Sequence, residues 1–187
     1  MTIYLLRHGY SEWQEHYDPT QVDPGIPDAR LAKRGREQVR AAAAEVHRLG
    51  IELVVTSPLT RTIETALGLF EGASSMPVFL VEPLLRERLG DSCDIGRPPA
   101  ELAAEFPALD FAHLDDPWWY QGEPDERGIP IEPRDQFERR AAAFESWLRS
   151  RTEQSILVVS HRGFLRCLGA GEIGNCELKQ WAPTSPT

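Results

Sequence analysis

Four short runs of apolar residues, none of them broken by alternating polar residues, constrain the fold of this chain most strongly. They cover residues 2–6, 53–55, 78–81 and 156–159. Uninterrupted β-branched and aliphatic runs of this length are typical of strands that are covered on both faces, as in a parallel sheet. A sheet of this kind needs helices on both of its faces, and the sequence between the runs supplies them.

Helical repeats of apolar residues lie between these runs. They cover about residues 31–49, 59–70 and 137–148. Gly50 is predicted to end the first helix, and Asp135 with Glu138 is predicted to cap the start of the third. Strands that alternate with helices predict an α/β fold: a three-layer α/β/α sandwich with a mostly parallel central sheet.

The proline-rich segment from about 83 to 134 interrupts this rhythm. Its aromatic cluster, Trp118, Trp119 and Tyr120, indicates either packing onto the core or a cover over a pocket. With 187 residues and no internal repeat, residues 1–187 are predicted to form one domain in which this segment is a small cap insertion. The last residues, 182–187, are predicted to fray.

Ligands of open parallel sheets bind beyond the carboxyl ends of the strands. Two histidines, several arginines and one carboxylate are expected at that edge, because they follow the four apolar runs, the third of them across Pro83-Leu84-Leu85. The four segments are Arg7-His8-Gly9, Ser57-Pro58-Leu59-Thr60-Arg61, Arg86-Glu87-Arg88 and Ser160-His161-Arg162-Gly163.

The order and spacing of these fragments resemble the histidine phosphatase superfamily, which has a phosphoglycerate mutase-like fold. The resemblance extends from Ile3 to about Trp181 and includes further fragments of the same pattern. These are Asp28-x-x-Leu31-x-x-x-Gly35-x-x-Gln38 and the Thr65-Ala66 pair after Arg61. The stretches 85–94 and 175–178 look like a little-characterised branch of the phosphoglycerate mutase-like family.

The resemblance implies a role for each residue at the sheet edge. His8 matches the nucleophile that forms a phosphohistidine, and Arg7, Arg61 and His161 match the groups that hold the phosphoryl group. Glu87 matches the proton donor to the leaving group. Its Arg-Glu-Arg setting also occurs in solvated charged turns, and that minority alternative stays open at this point.

Elementary chemistry supports the same roles. An imidazole attacks phosphorus only when it is neutral, and nearby guanidinium groups disfavour its protonated form. Arginines also donate paired hydrogen bonds to phosphate oxygens. No cluster has the spacing of a metal site, so the expected chemistry needs no metal and no cofactor.

Two departures from the family pattern favour simple hydrolysis over a mutase reaction. Gln14 stands where many members have an Asn that helps to bind the phosphoryl group, and we predict a phosphate-binding role for it. The chain is also shorter than cofactor-dependent mutases, whose longer insertions bind the substrate. The sequence therefore predicts a metal-independent phosphatase; the alternatives are phosphoglycerate mutase-type phosphoryl transfer and a non-catalytic phospho-ligand binding module.

The charge of the chain bears on its partners. Its net charge is −9, and such a surface repels a phosphate backbone, so we expect no nucleic acid. The resemblance implies a phosphorylated substrate, and partial closure of the pocket by residues 98–134 favours a small phosphorylated metabolite over a phosphoprotein or phosphohistidine. No apolar run is long enough for a membrane span, and no signal peptide is visible. Three scattered cysteines, Cys93, Cys167 and Cys176, indicate reduced thiols and a cytoplasmic protein. The substrate, the pathway and the oligomeric state stay open.

Overall fold

The computed structural model describes residues 1–181, so the tail predicted to fray, 182–187, lies outside the described residues. The central sheet has five strands in the order β3-β2-β4-β1-β5. Their bounds are β1 Thr2–Arg7, β2 Leu53–Thr56, β3 Val78–Val81, β4 Ser155–Ser160 and β5 Leu178–Gln180. The first four strands are parallel, and β5 runs antiparallel to β1. The predicted mostly parallel sheet is confirmed.

Six helices accompany the sheet. They are α1 Glu12–Thr20, α2 Lys33–His47, α3 Thr60–Leu69, α4 Pro99–Glu105, α5 Arg134–Arg149 and α6 Arg162–Cys167. Two short 3₁₀ turns, Pro83–Leu85 and Ser92–Asp94, lie between β3 and α4.

Alternate residues of each central strand enter two different hydrophobic cores. Ile3 and Leu5 of β1 pack with residues of α5 and α6, whereas Leu6 packs with residues of α2 and α3. The side chains of the central strand β4 alternate between the same two cores, and the strand is buried along its whole length. Burial on both faces explains why these strands read as continuous apolar runs, and the three-layer sandwich is confirmed.

The three predicted helices correspond to α2, α3 and α5, and Gly50 has a φ of +59° just after α2. The predicted capping pair of the third helix is wrong. Pro133 occupies the N-cap position, so Asp135 lies inside the first turn and pairs with Arg139, while Glu138 pairs with Arg134. Proline fits this position because its fixed φ suits the entry into a helix and it has no N–H to satisfy.

Helix α1 and strand β5 were not predicted. Helix α1 is strongly polar and has one buried residue, Trp13, so it shows no apolar stripe. Its start carries a capping box, in which Ser11 and Gln14 satisfy each other's backbone N–H groups. Strand β5 has three residues, none of them fully buried, and this is too short for a pattern of period two.

The segment between β3 and α5 packs through aromatic and aliphatic residues onto α3. Trp118 is buried in one hydrophobic cluster with Leu59, which directly precedes α3, and with Ile63 of α3. Its indole N–H donates to the carbonyl oxygen of Arg97 at 2.9 Å. A Cβ atom at Gly96 would overlap the Trp118 ring, so only glycine allows this contact. Trp118 therefore packs onto the core; the cap function of residues 83–134 and the single-domain assignment stay predictions.

Within residues 1–181 no helix is both long and apolar enough to cross a membrane. The three cysteines are free thiols, as predicted.

Candidate active site

The parallel pairing of β1 with β4 places two histidines side by side at the carboxyl edge of the sheet. Arg7 pairs with Ser160, so His8 and His161 follow at the same level of neighbouring strands. The backbone N–H of His8 donates to Ser160 O at 2.9 Å. The two imidazole centroids lie 5.2 Å apart, and both rings are buried. The sequence-predicted histidine pair is thus brought together.

His8 has one ring nitrogen in a hydrogen bond and one without a partner in the part of the chain that the structure describes. Its Nδ1 lies 2.7 Å from the carbonyl oxygen of Gly9. Because a carbonyl oxygen only accepts, Nδ1 carries the hydrogen, and Nε2 of the neutral ring keeps its lone pair. Burial, together with the charges of Arg61 and Arg7, holds the pKa of His8 well below its usual 6.5. His8 is therefore neutral at pH 7.

His161 is fixed by a serine from the next strand. Its Nε2 lies 3.0 Å from the hydroxyl of Ser57, which follows β2. Its Nδ1 is buried and has no partner among the described residues. Burial and the nearby Arg61 and His8 hold the pKa of His161 well below 6.5, so this ring is also neutral at pH 7.

Arg7 leaves part of its guanidinium unpaired. Its Nη1 donates to Ile173 O at 3.2 Å, while its buried Nε has no partner among the described residues. Burial and the charge of Arg162 lower the pKa of Arg7, and the Glu87 carboxylate counters them. A cavity of about 280 Å³ opens beside Arg7 and is lined by Arg7, Arg162, Glu172, Ile173, Gly174 and Glu177.

Arg61 is held inside the protein by a carboxylate. Its guanidinium donates to Asp94 Oδ1 at 2.8 Å and to Cys93 O at 2.5 Å. Burial raises the pKa of Asp94 to about 7, although Arg61 acts in the opposite direction. A guanidinium has five N–H donors, so these two contacts leave donors for an anion.

Glu87 turns toward the sheet edge and binds backbone. Its Oε2 accepts from Gly163 N at 2.8 Å and its Oε1 from Arg88 N at 2.9 Å. The contact needs a glycine, because a Cβ at residue 163 would lie 3.0 Å from both Cδ and Oε2 of Glu87. Glu87 therefore does not sit in a freely solvated turn, which was the alternative interpretation of its Arg-Glu-Arg setting.

Gln14 reaches the same region but is engaged by protein groups. Its Oε1 accepts from Ser11 N at 3.1 Å, and its amide exchanges hydrogen bonds with Asn175 at 3.2 and 3.4 Å. Asn175 also donates to the carbonyl oxygen of His8 at 2.9 Å. A phosphate-binding role of Gln14 stays a prediction.

Sequence reasoning missed four residues that fix this site. Asp94 and Asn175 lie in the stretches 85–94 and 175–178 that resemble the family, but no sequence pattern predicts their contacts with Arg61 and His8. Glu132 and Arg140 carried no signal at all; they form a buried ion pair whose Arg140 binds the carbonyl of Glu87. Within residues 1–181 no three His, Cys, Asp or Glu side chains group as they would to hold a metal ion.

Comparisons with known proteins show the family of this chain. The family description "histidine phosphatase superfamily (branch 1)" matches residues 3–183. Phosphoglycerate mutase-like protein 1 of Arabidopsis thaliana is 30% identical and covers 95% of this chain and 79% of its own length. Glucosyl-3-phosphoglycerate phosphatase of Mycolicibacterium vanbaalenii is 28% identical, covering 92% of this chain and 74% of its own.

Among solved structures, a putative alpha-ribazole-5'-P phosphatase from Escherichia coli superimposes with a TM-score of 0.59. It is 26% identical over 88% of this chain and 75% of its own. Since the family match covers nearly the whole chain and the fold is shared, this protein belongs to the histidine phosphatase superfamily, branch 1.

Proposed function

We propose that this protein is a metal-independent phosphatase that hydrolyses a small phosphomonoester through a phosphohistidine on His8. The observation that carries the proposal is the state of His8: its Nδ1–H is bound to Gly9 O, which leaves Nε2 as a neutral nucleophile. Arg7 and Arg61 lie at the same sheet edge and keep N–H donors for phosphate oxygens, and His161 lies beside His8 with its Nδ1 unpartnered among the described residues.

In the first step, the Nε2 lone pair of His8 attacks phosphorus and forms an N–P bond. The bond from phosphorus to the ester oxygen breaks, and its electron pair leaves with that oxygen. Glu87, in its carboxylic acid form, donates its proton to the departing oxygen, which can contribute about 10²–10⁴-fold to the rate. Each carboxyl oxygen of Glu87 accepts one backbone N–H and keeps a second lone pair on which that proton can reside.

In the second step, the Glu87 carboxylate takes a proton from water as the water oxygen attacks phosphorus. The N–P bond breaks, its electron pair returns to Nε2 of His8, and inorganic phosphate leaves. Throughout both steps Arg7 and Arg61 offset the charge on the phosphoryl oxygens, where buried donors act more strongly than in water.

The relatives support hydrolysis of a small metabolite. Two of them are named as phosphatases of small phosphorylated molecules.

The test is phosphate release from p-nitrophenyl phosphate and from a panel of sugar, glycerate and nucleotide phosphates, in EDTA. Wild type, His8→Ala and His16→Ala are compared; His16 is an exposed histidine of α1 and serves as the matched control. We expect turnover in wild type and His16→Ala and none in His8→Ala. Undiminished turnover in His8→Ala would refute the nucleophile.

A second experiment separates the alternatives. Rapid quenching in base, which preserves phosphohistidine, followed by mass spectrometry should place one phosphoryl group on the peptide that contains His8. Phosphate binding without turnover and without this modification would instead identify a phospho-ligand binding module. Transfer between phosphoglycerates that outpaces phosphate release would identify a mutase.

A further inference from the structure

Arg140 of α5 is a buried arginine that the proposed chemistry does not use. All five of its N–H donors are engaged. Nη1 donates to Leu84 O and Arg86 O, both at 2.7 Å, and Nη2 donates to Glu87 O at 3.3 Å. The remaining donors bind both carboxylate oxygens of Glu132, at 2.7 and 3.1 Å. One guanidinium thus fixes three carbonyl groups of the segment that carries Glu87.

Glu132 holds the same segment from the other side. Its carboxylate accepts from Arg86 Nη2 at 3.1 Å and from Leu89 N at 3.4 Å, and its own N–H donates to Leu89 O at 2.9 Å. Its carbonyl oxygen accepts from Arg88 Nε at 2.8 Å. Residues 84–89 are therefore bound at both flanks of Glu87.

The plane of the Arg140 guanidinium is fixed as well. It lies over the ring of Phe137 at 5.0 Å and near that of Phe164 at 5.7 Å, in the core between α5 and α6. The same helix α6 contains Gly163, whose N–H donates to the Glu87 carboxylate. Arg140 therefore ties the backbone of Glu87 to α5, while Gly163 ties its carboxylate to α6.

Stability alone does not account for this pair. Arg140 is 7% exposed and Glu132 1% exposed, and a buried ion pair loses so much hydration that apolar residues of similar size are often as stabilising. Directional hydrogen bonds, in contrast, fix a geometry that apolar packing does not. We propose that Arg140 and Glu132 are positioning residues that hold the Glu87 carboxyl where it meets the leaving group, an inference that rests on the proposed function.

The test uses the dependence of proton donation on the leaving group. p-Nitrophenolate departs without a proton, whereas the alkoxide of glycerol 3-phosphate needs one. Arg140→Lys keeps the charge but has three donors in place of five, so it cannot make all the present contacts. We expect its kcat for glycerol 3-phosphate to fall at least about tenfold more than its kcat for p-nitrophenyl phosphate. In Glu132→Gln, kcat for glycerol 3-phosphate should likewise fall more than kcat for p-nitrophenyl phosphate.

Two controls accompany these variants. Arg139→Lys alters the neighbouring arginine, which is exposed and pairs with Asp135 on the same helix, and it should leave both rates unchanged. Glu87→Gln should reproduce the leaving-group effect in full. Adding Arg140→Lys to Glu87→Gln should then cause little further loss, because residues that act through one group are not additive.

The outcomes separate the inference from the function on which it rests. If kcat of Arg140→Lys falls equally for both substrates, the loss reflects a smaller folded fraction and overturns the positioning role. Fully additive losses in the double variant overturn it as well. In either case a leaving-group effect in Glu87→Gln leaves the proposed function standing. If Glu87→Gln shows no such effect, or wild type hydrolyses no monoester, the proton-donor role fails and the inference fails with it.

Discussion

Asp94 is the residue that controls the charge at the proposed phosphate site. Above pH 7 its carboxylate is ionised and offsets the charge of Arg61, with which it forms a buried ion pair. Below pH 7 the carboxyl becomes protonated, because burial has raised its pKa to about 7, and the Arg61 charge is no longer offset. Other titratable groups act on this ion pair. The charges of Glu87 and Asp91 raise the pKa of Asp94, and Cys93 raises the pKa of Arg61.

We predict that sulfate, which stays a dianion across this range, binds more tightly as the pH falls from 8 to 6. The gain should be about three- to tenfold, since one charge beside the anion is removed. Isothermal titration calorimetry at several pH values measures it. Asp94→Asn should bind sulfate with an affinity that hardly changes over the same range; an unaltered pH dependence in this variant would contradict the assignment.

At the same scale, Gly163 determines how close Glu87 comes to α6. Gly163→Ala should push the carboxyl away, because the new Cβ would lie 3.0 Å from Cδ of Glu87. We expect kcat for an alkyl phosphate to fall about tenfold or more, since proton donation depends on position. Gly90→Ala is the control, because its Cβ would have its nearest neighbour at 3.8 Å. Equal rates in the two variants would argue against the role of Gly163.

The site was predictable from the sequence where its residues follow strands. His8, Ser57 and His161 come directly after apolar runs, and parallel strands bring such positions to one edge. Asp94 and Arg140 have no comparable pattern, because each acts through contacts with residues distant in the chain, and neither strand nor helix period points to them. The sequence therefore predicts which residues lie at the ends of strands better than it predicts which loop residues contact them.

At the scale of elements, the start of α2 is packed against the backbone that follows His8. Tyr10 O accepts from Ala32 N at 3.0 Å, and Tyr10 N donates to Gln38 Oε1 at 2.9 Å. Gly35 makes this approach possible, because a Cβ there would lie 2.9 Å from Tyr10 N and 3.0 Å from Tyr10 C. Backbone atoms cannot rotate away, so the helix and the His8 loop form one rigid unit.

Gly35→Ala should lower the free energy of unfolding by about 1–3 kcal/mol, as overpacking does, and should reduce kcat. Gly68→Ala is the matched change on α3: its Cβ would meet the Val39 side chain at 2.9 Å, and a side chain can adjust. We expect a loss below about 1 kcal/mol there, because alanine also favours the helix. Urea denaturation of both variants measures the difference, and equal losses would contradict the argument.

Buried elements were the most predictable. Strand β4 is a continuous apolar run because both of its faces enter a core, and helix α2 has a clear helical period because one face does. Strand β3 is the exception: it too is a continuous apolar run, but it is not covered on both faces as predicted, since Val78 is 68% exposed. Helix α1 and strand β5 are largely polar, so their positions depend on a capping box and on pairing with β1, neither of which produces an apolar pattern.

For the whole molecule, buried nitrogen atoms without partners indicate what an anion would contribute. Within residues 1–181 they are Arg7 Nε, Arg86 Nε and His161 Nδ1, and the first and last of these belong to the candidate site. Inorganic phosphate at one hundred times its Kd should stabilise the fold by about 2.7 kcal/mol. For a chain of this length that corresponds to a rise in Tm of about 5–10 °C. Differential scanning calorimetry tests this against NaCl of equal ionic strength.

In Arg7→Met, phosphate should raise the Tm much less than in wild type. The Tm of the variant without phosphate should differ from that of wild type by less than this loss. An equal rise with NaCl, or an undiminished rise in Arg7→Met, would show that the anion binds elsewhere.

The position of β1 between β4 and β5 has a consequence for synthesis on the ribosome. Both neighbours of β1 come much later in the chain, and Asn175, which binds the His8 carbonyl, is 167 positions from it. His8, the proposed nucleophile, is therefore made long before the strands that enclose it. An incomplete nascent chain would carry His8 on an unpaired strand, so we expect phosphoryl chemistry to begin only when β4 and the Asn175 loop have left the exit tunnel.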